Sequence, residues 1–177
     1  SRSAILPLVK KYGGVLVALT LDENGIPENA EGRFEIAKRI YDEALKYGID
    51  SKDLIFDPLA MSVSADKNAA RETLMAVKLI DECLNCSTIL GVSNVSFGLP
   101  GRDQLNASFF TMGLENGLTA AIVNPHSEEI RRAYSSYVAL SGLDENFVDY
   151  ISCSTEQREK KTEAVTDLKH AIIKGMK

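Results

Sequence analysis

Four short apolar runs constrain this chain more than anything else in it. They occupy residues 15–20, 54–57, 88–93 and 120–124. In each, apolar residues follow one another almost without a break. Strands buried on both faces read this way, and such strands are typical of parallel sheets. Each run with the stretch that follows it makes a unit of roughly thirty to forty residues, a spacing suited to a parallel crossover through a helix.

Helical periodicity fills the gaps. Phe34, Ile36, Ala37, Ile40, Ala44 and Leu45 recur at helical spacing, as do Leu74, Val77 and Ile80, with Lys78 the polar exception. Leu105, Phe109, Met112 and Leu114 form a third set, and Ile130, Tyr134, Tyr137 and Val138 a fourth. Residues 4–12 read as one more helix, stopped by Gly13-Gly14. The order is a helix and then four βα units, an α/β class with a parallel sheet. Two architectures satisfy it, a doubly wound sheet and a (β/α)8 barrel. No GxGxxG follows the first run, which takes support from a dinucleotide fold. A complete barrel takes about 250 residues, so four units make about half of one.

Composition narrows the class. The 177 residues suffice for one domain, and 45% apolar with 25% charged is ordinary for a globular chain. A net charge of −5 argues against a nucleic-acid surface. No apolar run is long enough to span a membrane, and no secretory pattern opens the chain. Three cysteines, an odd and sparse count, fit a reducing compartment, so a cytoplasmic location is expected. Cys83-Leu84-Asn85-Cys86 is formally a CxxC, but there is no second pair and there are only two histidines, so no metal site is expected. The chain opens without methionine and closes inside a helical pattern, so both ends read as cut. Residues 156–161 are highly charged, and Ala164, Val165, Leu168, Ala171 and Ile172 make an amphipathic stripe. The expected division is a barrel part over 1–152 and a linker entering a helical module over 153–177.

The runs end in Thr20, Asp57, Ser93-Asn94 and Asn124. Strand C-termini in a parallel α/β fold share one rim, where such folds bind ligands. Each residue has a simpler reading as a turn former, and Asp57-Pro58 is a good one. Together, Asp57 and Asn94 suit a ligand with adjacent N–H donors and a polar ring nitrogen. A carboxylate accepts two parallel donors. An amide donates and accepts without titrating. Arg102, past a loop rich in Gly and Pro, either reaches toward an anionic or aromatic tail or simply begins the next helix.

Three stretches resemble a known family. They are LIFDPLAMSVSAD at 54–66, ILGVSNVSFGLPGRDQLN at 89–106 and AAIVNP at 120–125. They resemble the pterin-binding domain shared by cobalamin-dependent methionine synthases and methyltetrahydrofolate:corrinoid methyltransferases, and residues 15–40 fit the same family. The resemblance covers roughly residues 4–150, and the Ser-Asn-Val-Ser-x-Gly loop with its trailing arginine is its specific part. It implies the C-terminal half of a (β/α)8 barrel, with methyltetrahydrofolate as substrate at the rim. It further implies that Asp57 binds the amino-pyrimidine edge and that Asn94 lies beside the methyl-bearing N5. Gly91 and Ser93 would line the pterin pocket, and Arg102 would contact the folate tail. The reaction implied is transfer of the N5 methyl to a cobalamin held by another domain, in methionine synthesis. Further pterin ligands of the family come from earlier strands, so the partner expected is the other half of the barrel or a dimer mate. Residues 168–177 are similar to the first helix of the cap over a corrinoid-binding module. Two other readings are a stand-alone methyltetrahydrofolate:corrinoid methyltransferase and a non-catalytic half-barrel assembly domain. Dihydropteroate synthase shares the fold, but the 91–102 loop is not its pattern.

Overall fold

A computed structural model describes residues 2–155. The chain divides into two compact units, Ser1–Asn124 and Pro125–Lys177. The first opens with helix α1 (Arg2–Tyr12), which ends where Gly13 and Gly14 take φ of +74° and +118°. Four βα repeats follow in part or in full: β1 (Leu16–Leu19), α2 (Ala30–Lys46), β2 (Leu54–Asp57), α3 (Ala69–Leu84), β3 (Ser87–Gly91), α4 (Arg102–Glu115) and β4 (Ala120–Ile122). The strands make one parallel sheet in the order β1-β2-β3-β4. Sequential order with every crossover through a helix is the layout of a barrel wall, whereas a doubly wound sheet reverses its order partway.

Each helix has a local cause. Asn29 caps α2, its side chain accepting from the Gly32 N–H at 3.0 Å. The α2 stripe of Ile36, Ala37, Ile40 and Ala44 is buried as the periodicity predicts. In α3 the buried stripe takes in Thr73 and Ala76. Lys78 lies outside it, exposed and paired with Glu82 one turn on at 3.8 Å. The expected face of α4 is partly wrong. Phe109, Phe110 and Gly113 are buried, whereas Leu105 and Met112 are exposed. A Cβ on Gly113 would come within 3.0 Å of Leu118, so the close approach at this glycine sets the rotation of the helix.

The two faces of the sheet differ. Ala18, Thr20, Leu54, Phe56, Thr88 and Leu90 point one way and are buried. Ala18, Leu54 and Phe56 pack in one core with Ile36, Ala37 and Ile40 of α2 and Ile80 and Leu84 of α3. Val17, Leu19, Ile55, Asp57, Ile89, Gly91 and Ile122 alternate with these and point the other way. There Val17 is 48%, Leu19 45% and Ile122 63% exposed. This second face corresponds to the interior of a barrel. The near-continuous apolar runs are therefore explained, because both faces carry apolar residues although α2 and α3 cover only one. A cavity of about 670 Å³ runs along the outer strand β1, lined by Ile5, Leu16, Val17 and Leu19 among others. It reaches past the end of β1 to Leu21, Asp22 and Glu23, but neither Asp57 nor Asn94 lines it, so it is distinct from the polar tips of β2 and β3.

The second unit, from Pro125, contains α5 (Glu128–Leu140), capped by Ser127, whose side chain accepts from the Ile130 N–H. Asp144 caps the helical residues 148–155, accepting from the N–H groups of Asp149 at 3.1 Å and Tyr150 at 2.9 Å. The amphipathic stretch at 164–172 and the cap-like segment at 168–177 lie outside the described residues. Among the described residues no helix is long and apolar enough to cross a membrane.

Candidate ligand site at the strand tips

Of the polar strand ends, the structure gathers two on the open face. Asp57 closes β2 there, half-buried, beside Leu19 in register. Its Oδ1 accepts from the Leu59 N–H at 2.8 Å, closing a turn in which Leu59 takes a left-handed φ of +65°. Among the described residues nothing donates to Oδ2, which leaves one oxygen of the carboxylate for a ligand. Burial pushes the Asp57 carboxyl above the ordinary aspartate range, and the Leu59 N–H pulls it partway back.

Asn94 reaches the same face by a different route. β3 stops at Gly91, and a 3-10 turn runs from Val92 to Ser96, so the expected strand through Ser93 is two residues too long. The apolar signal that extends it is real but has period three. Val92 and Val95 are both buried on this turn. The turn folds the Asn94 side chain back over Gly91, where a Cβ would lie 3.1 Å from its Nδ2. Gly91 faces the open side, so the amide lies there too. Asn94 and Ser93 are exposed.

Arg102 is the first residue of α4, and its guanidinium turns back on this loop. Its Nε donates to Ser96 Oγ at 3.0 Å and one terminal nitrogen donates to the Ser93 carbonyl at 2.8 Å. The other terminal nitrogen makes no hydrogen bond among the described residues. The loops after β2 and β3 are also tied together. Ser62 and Ser64 both donate to the Phe97 carbonyl, at 2.7 and 2.9 Å, and the Val63 N–H donates to the Val95 carbonyl at 3.0 Å.

The other two tips fall elsewhere. Thr20 points to the helix-covered side with its hydroxyl buried and without a hydrogen-bond partner among the described residues, while its N–H donates to the Asp57 carbonyl at 3.1 Å. Asn124 lies two residues past the end of β4. None of the three cysteines forms a disulfide among the described residues. Cys83 is exposed, and Cys86 is buried in the core, which pushes its thiol pKa up. No group of three or more His, Cys, Asp or Glu able to hold a metal occurs among the described residues.

Arg33 is the residue that sequence reasoning missed. It lies on the buried face of α2 and is only 2% exposed. Nε donates to the Pro27 carbonyl at 2.9 Å. One terminal nitrogen reaches the Pro58 carbonyl at 3.2 Å, the Leu59 carbonyl at 3.1 Å and Thr73 Oγ1 at 2.8 Å. Its signal in the sequence is faint. A charged residue stands in register with Ile36, Ala37 and Ile40, where a solvent-facing arginine does not belong.

A parallel βα wall whose strands follow one another in sequence order defines a barrel-type α/β protein. Its family is set by direct comparison. Residues 1–124, the first compact unit, match the family model described as pterin binding enzyme, and the chain belongs to that family of (β/α)8 barrels. It is 32% identical over 130 residues to a methylcorrinoid:tetrahydrofolate methyltransferase of Eubacterium limosum, covering 73% of this chain and 48% of that protein. It is 34% identical over 127 residues to methionine synthases of Mycobacterium tuberculosis and Mycobacterium leprae, covering 67% of this chain and 11% and 10% of theirs. The chain thus spans about half of the first relative and about a tenth of the other two.

Proposed function

We propose that this chain carries the Asp57–Asn94 side of a methyltetrahydrofolate site. The enzyme it serves passes the N5 methyl group to a cobalamin held by another module, in methionine synthesis in the cytoplasm. One observation carries the proposal. In a chain of the pterin-binding family, a carboxylate with a free oxygen and an amide that cannot titrate stand on the same open face of the sheet. Oδ2 accepts one of the paired N–H donors of the 2-amino-pyrimidine edge, and the second lone pair of Oδ1, beside the Leu59 N–H, accepts the other. Gly91 and Ser93 line the pterin beside it, and the unused nitrogen of Arg102 is available to the folate tail.

The chemistry asks for help at N5. As the methyl leaves, the C–N bonding pair stays on nitrogen, which must gain a proton or a strong hydrogen bond to be a good leaving group. An amide that bonds the protonated nitrogen better than the neutral one lowers the barrier by differential binding. Asn94 fills that role, with solvent as a sufficient proton source. The exposed apolar face of Val17, Leu19 and Ile122 fits a barrel interior that further βα units, or a second copy, would cover. The Eubacterium limosum relative supports a second reading, a methyltransferase acting between folate and corrinoid outside methionine synthesis.

The test is methyltetrahydrofolate binding and single-turnover methyl transfer to cob(I)alamin by the protein that carries this chain. Asp57→Ala should weaken binding by about 2 kcal/mol or more, as loss of a charge-assisted pair does. Asn94→Ala should depress transfer far more than binding. Unchanged affinity in the first variant removes Asp57 from the site, and equal losses in the second remove the transition-state role.

A further inference from the structure

We propose that Arg33 is a positioning residue of this site, holding from inside α2 the turn that presents the Asp57 carboxylate. The inference rests on the reading of Asp57 as a ligand-binding group but can be tested without any ligand.

Three observations carry it. First, Arg33 is buried and spends its donors on neutral acceptors, the carbonyls of Pro27, Pro58 and Leu59 and the hydroxyl of Thr73. A buried guanidinium held without a hydrogen-bonded carboxylate costs desolvation, so its place needs a reason beyond stability. The charged groups that face it are Glu72 of α3 and Asp66 of the preceding loop, both acting through space. Glu72 spends an oxygen on the Ala30 N–H at 2.9 Å, fixing the start of the helix that carries Arg33. Secondly, two of the four acceptors are the consecutive residues after Asp57, and the second is Leu59 in a left-handed conformation that a leucine avoids. The arginine grips both carbonyls of the turn that holds this strain. Thirdly, the Leu59 N–H is the one protein donor to the Asp57 carboxylate among the described residues. The chain of contact is continuous: guanidinium to the Leu59 carbonyl, Leu59 N–H to Asp57 Oδ1, with Oδ2 left toward the open face.

A residue that only fills space would not alter the state of a carboxyl group beyond its reach. Burial and the Leu59 N–H are the two causes of the Asp57 shift, with no charged side chain among them. Loosening the turn therefore acts on Asp57 by removing that N–H, and the carboxyl titrates higher.

The experiment follows the Leu59 amide by hydrogen exchange and the Asp57 carboxyl carbon by NMR pH titration, in the full chain and in Arg33→Lys and Arg33→Met. The Met variant should exchange the Leu59 amide at least tenfold faster and move the Asp57 titration upward, and the Lys variant, with one nitrogen for four acceptors, should fall between. A folded Met variant with wild-type Leu59 exchange and Asp57 titration overturns the proposal. Thr73→Val, which removes one acceptor of Arg33 together with the hydroxyl that lies 3.4 Å from the Leu59 carbonyl and keeps the core volume, covers the case in which the Met variant does not fold. A small change in the same two readouts is expected from it, and none overturns the proposal. Binding of methyltetrahydrofolate is measured separately. If the NMR changes appear and the wild-type protein fails to bind folate, the folate assignment is what falls.

Discussion

After β2 the chain turns against a buried arginine, and after β3 it turns against an exposed one. The first turn, Asp57-Pro58-Leu59, is strained, anchored to α2 and α3 through Arg33 and Thr73, and leaves its carboxylate half-buried. The second, residues 92–96, takes a 3-10 conformation with Arg102 lying across its surface, and leaves Asn94 exposed. The difference matches what the proposed folate site would ask of each group. A carboxylate that must distinguish a fork of N–H donors gains from a fixed direction. An amide that would bond one nitrogen in two protonation states can do so from an exposed turn, because it does not titrate. The serine bridge from residues 62 and 64 to the Phe97 carbonyl keeps the two in register without making them equally rigid.

The largest expected effect separates the two arginines. Arg33→Met strips the Pro27 and Pro58 carbonyls of the arginine donor in a buried or part-buried site, and leaves the Leu59 carbonyl with only the Thr73 hydroxyl at 3.4 Å. Urea denaturation of the full chain should show a loss of about 2–4 kcal/mol, in the range for buried polar groups stripped of a partner. Arg102→Met breaks two hydrogen bonds at an exposed site, where water replaces the donor, and should cost about 1 kcal/mol or less. Equal losses would mean that the two loops do not differ in the way their burial indicates.

A smaller effect concerns the carboxylate. Burial raises the folded-state pKa of Asp57 above its ordinary value of 3.8. The sign of its linkage follows. The folded protein holds the Asp57 proton to a higher pH than the unfolded chain does, so this residue favours folding below pH 3.8. That advantage is lost as pH rises through the raised folded value, and at neutral pH the buried charge opposes folding. Asp57→Asn keeps an oxygen for the Leu59 N–H and cannot ionise. The variant should therefore be more stable than wild type at pH 7, with the gap closing as pH falls from the raised folded value to 3.8, while folate binding is lost. Denaturation curves at four or five pH values check this. A gap that does not change with pH would show that burial at Asp57 is not felt by the fold. A site residue that weakens its own fold is expected where binding, not packing, has set the residue.

Most of the fold was legible because its cause is local. Apolar continuity at 54–57 and helical spacing at 34–45 each act within one element, and one parallel order of strands satisfies both. Asp57 and Asn94 were legible as polar breaks at the ends of apolar runs. What escaped depends on contacts between elements. Thr20 looks like Asp57 in the sequence, yet strand parity points it to the helix-covered side. Val92 extends an apolar run, yet its partner in burial is Val95 on a turn. Arg33 and Lys78 are both cations within or beside a helical stripe. One angular step on the helix separates a surface ion pair from a buried clamp, and only the packing of α2 against α3 and the Leu59 turn decides between them. The open apolar face could not be read from the runs themselves, since a run covered on one side and a run covered on both look alike; it follows only from the half-barrel reading, in which part of the core lacks its cover.

Gly91 sharpens the contrast at its finest scale. Its φ is −76°, so alanine fits the backbone there. The added Cβ would lie 3.1 Å from Asn94 Nδ2, closer than comfortable contact, and the amide must give way by a few tenths of an ångström. Because Asn94 is exposed and lies on a surface turn, the fold can absorb this. Stability of Gly91→Ala should stay within about 0.5 kcal/mol of wild type. Catalysis has less tolerance, since it depends on where the amide stands when N5 takes its proton. Methyl transfer should fall by roughly tenfold, given that a misplacement near 1 Å costs about a hundredfold, while affinity for methyltetrahydrofolate, set mainly at Asp57, should change little. Denaturation, calorimetry and single-turnover transfer on this variant separate the three quantities. A large loss of stability would show that the 92–96 turn is as rigid as the Asp57 turn. Unchanged transfer would show that the amide adjusts freely enough to recover its place.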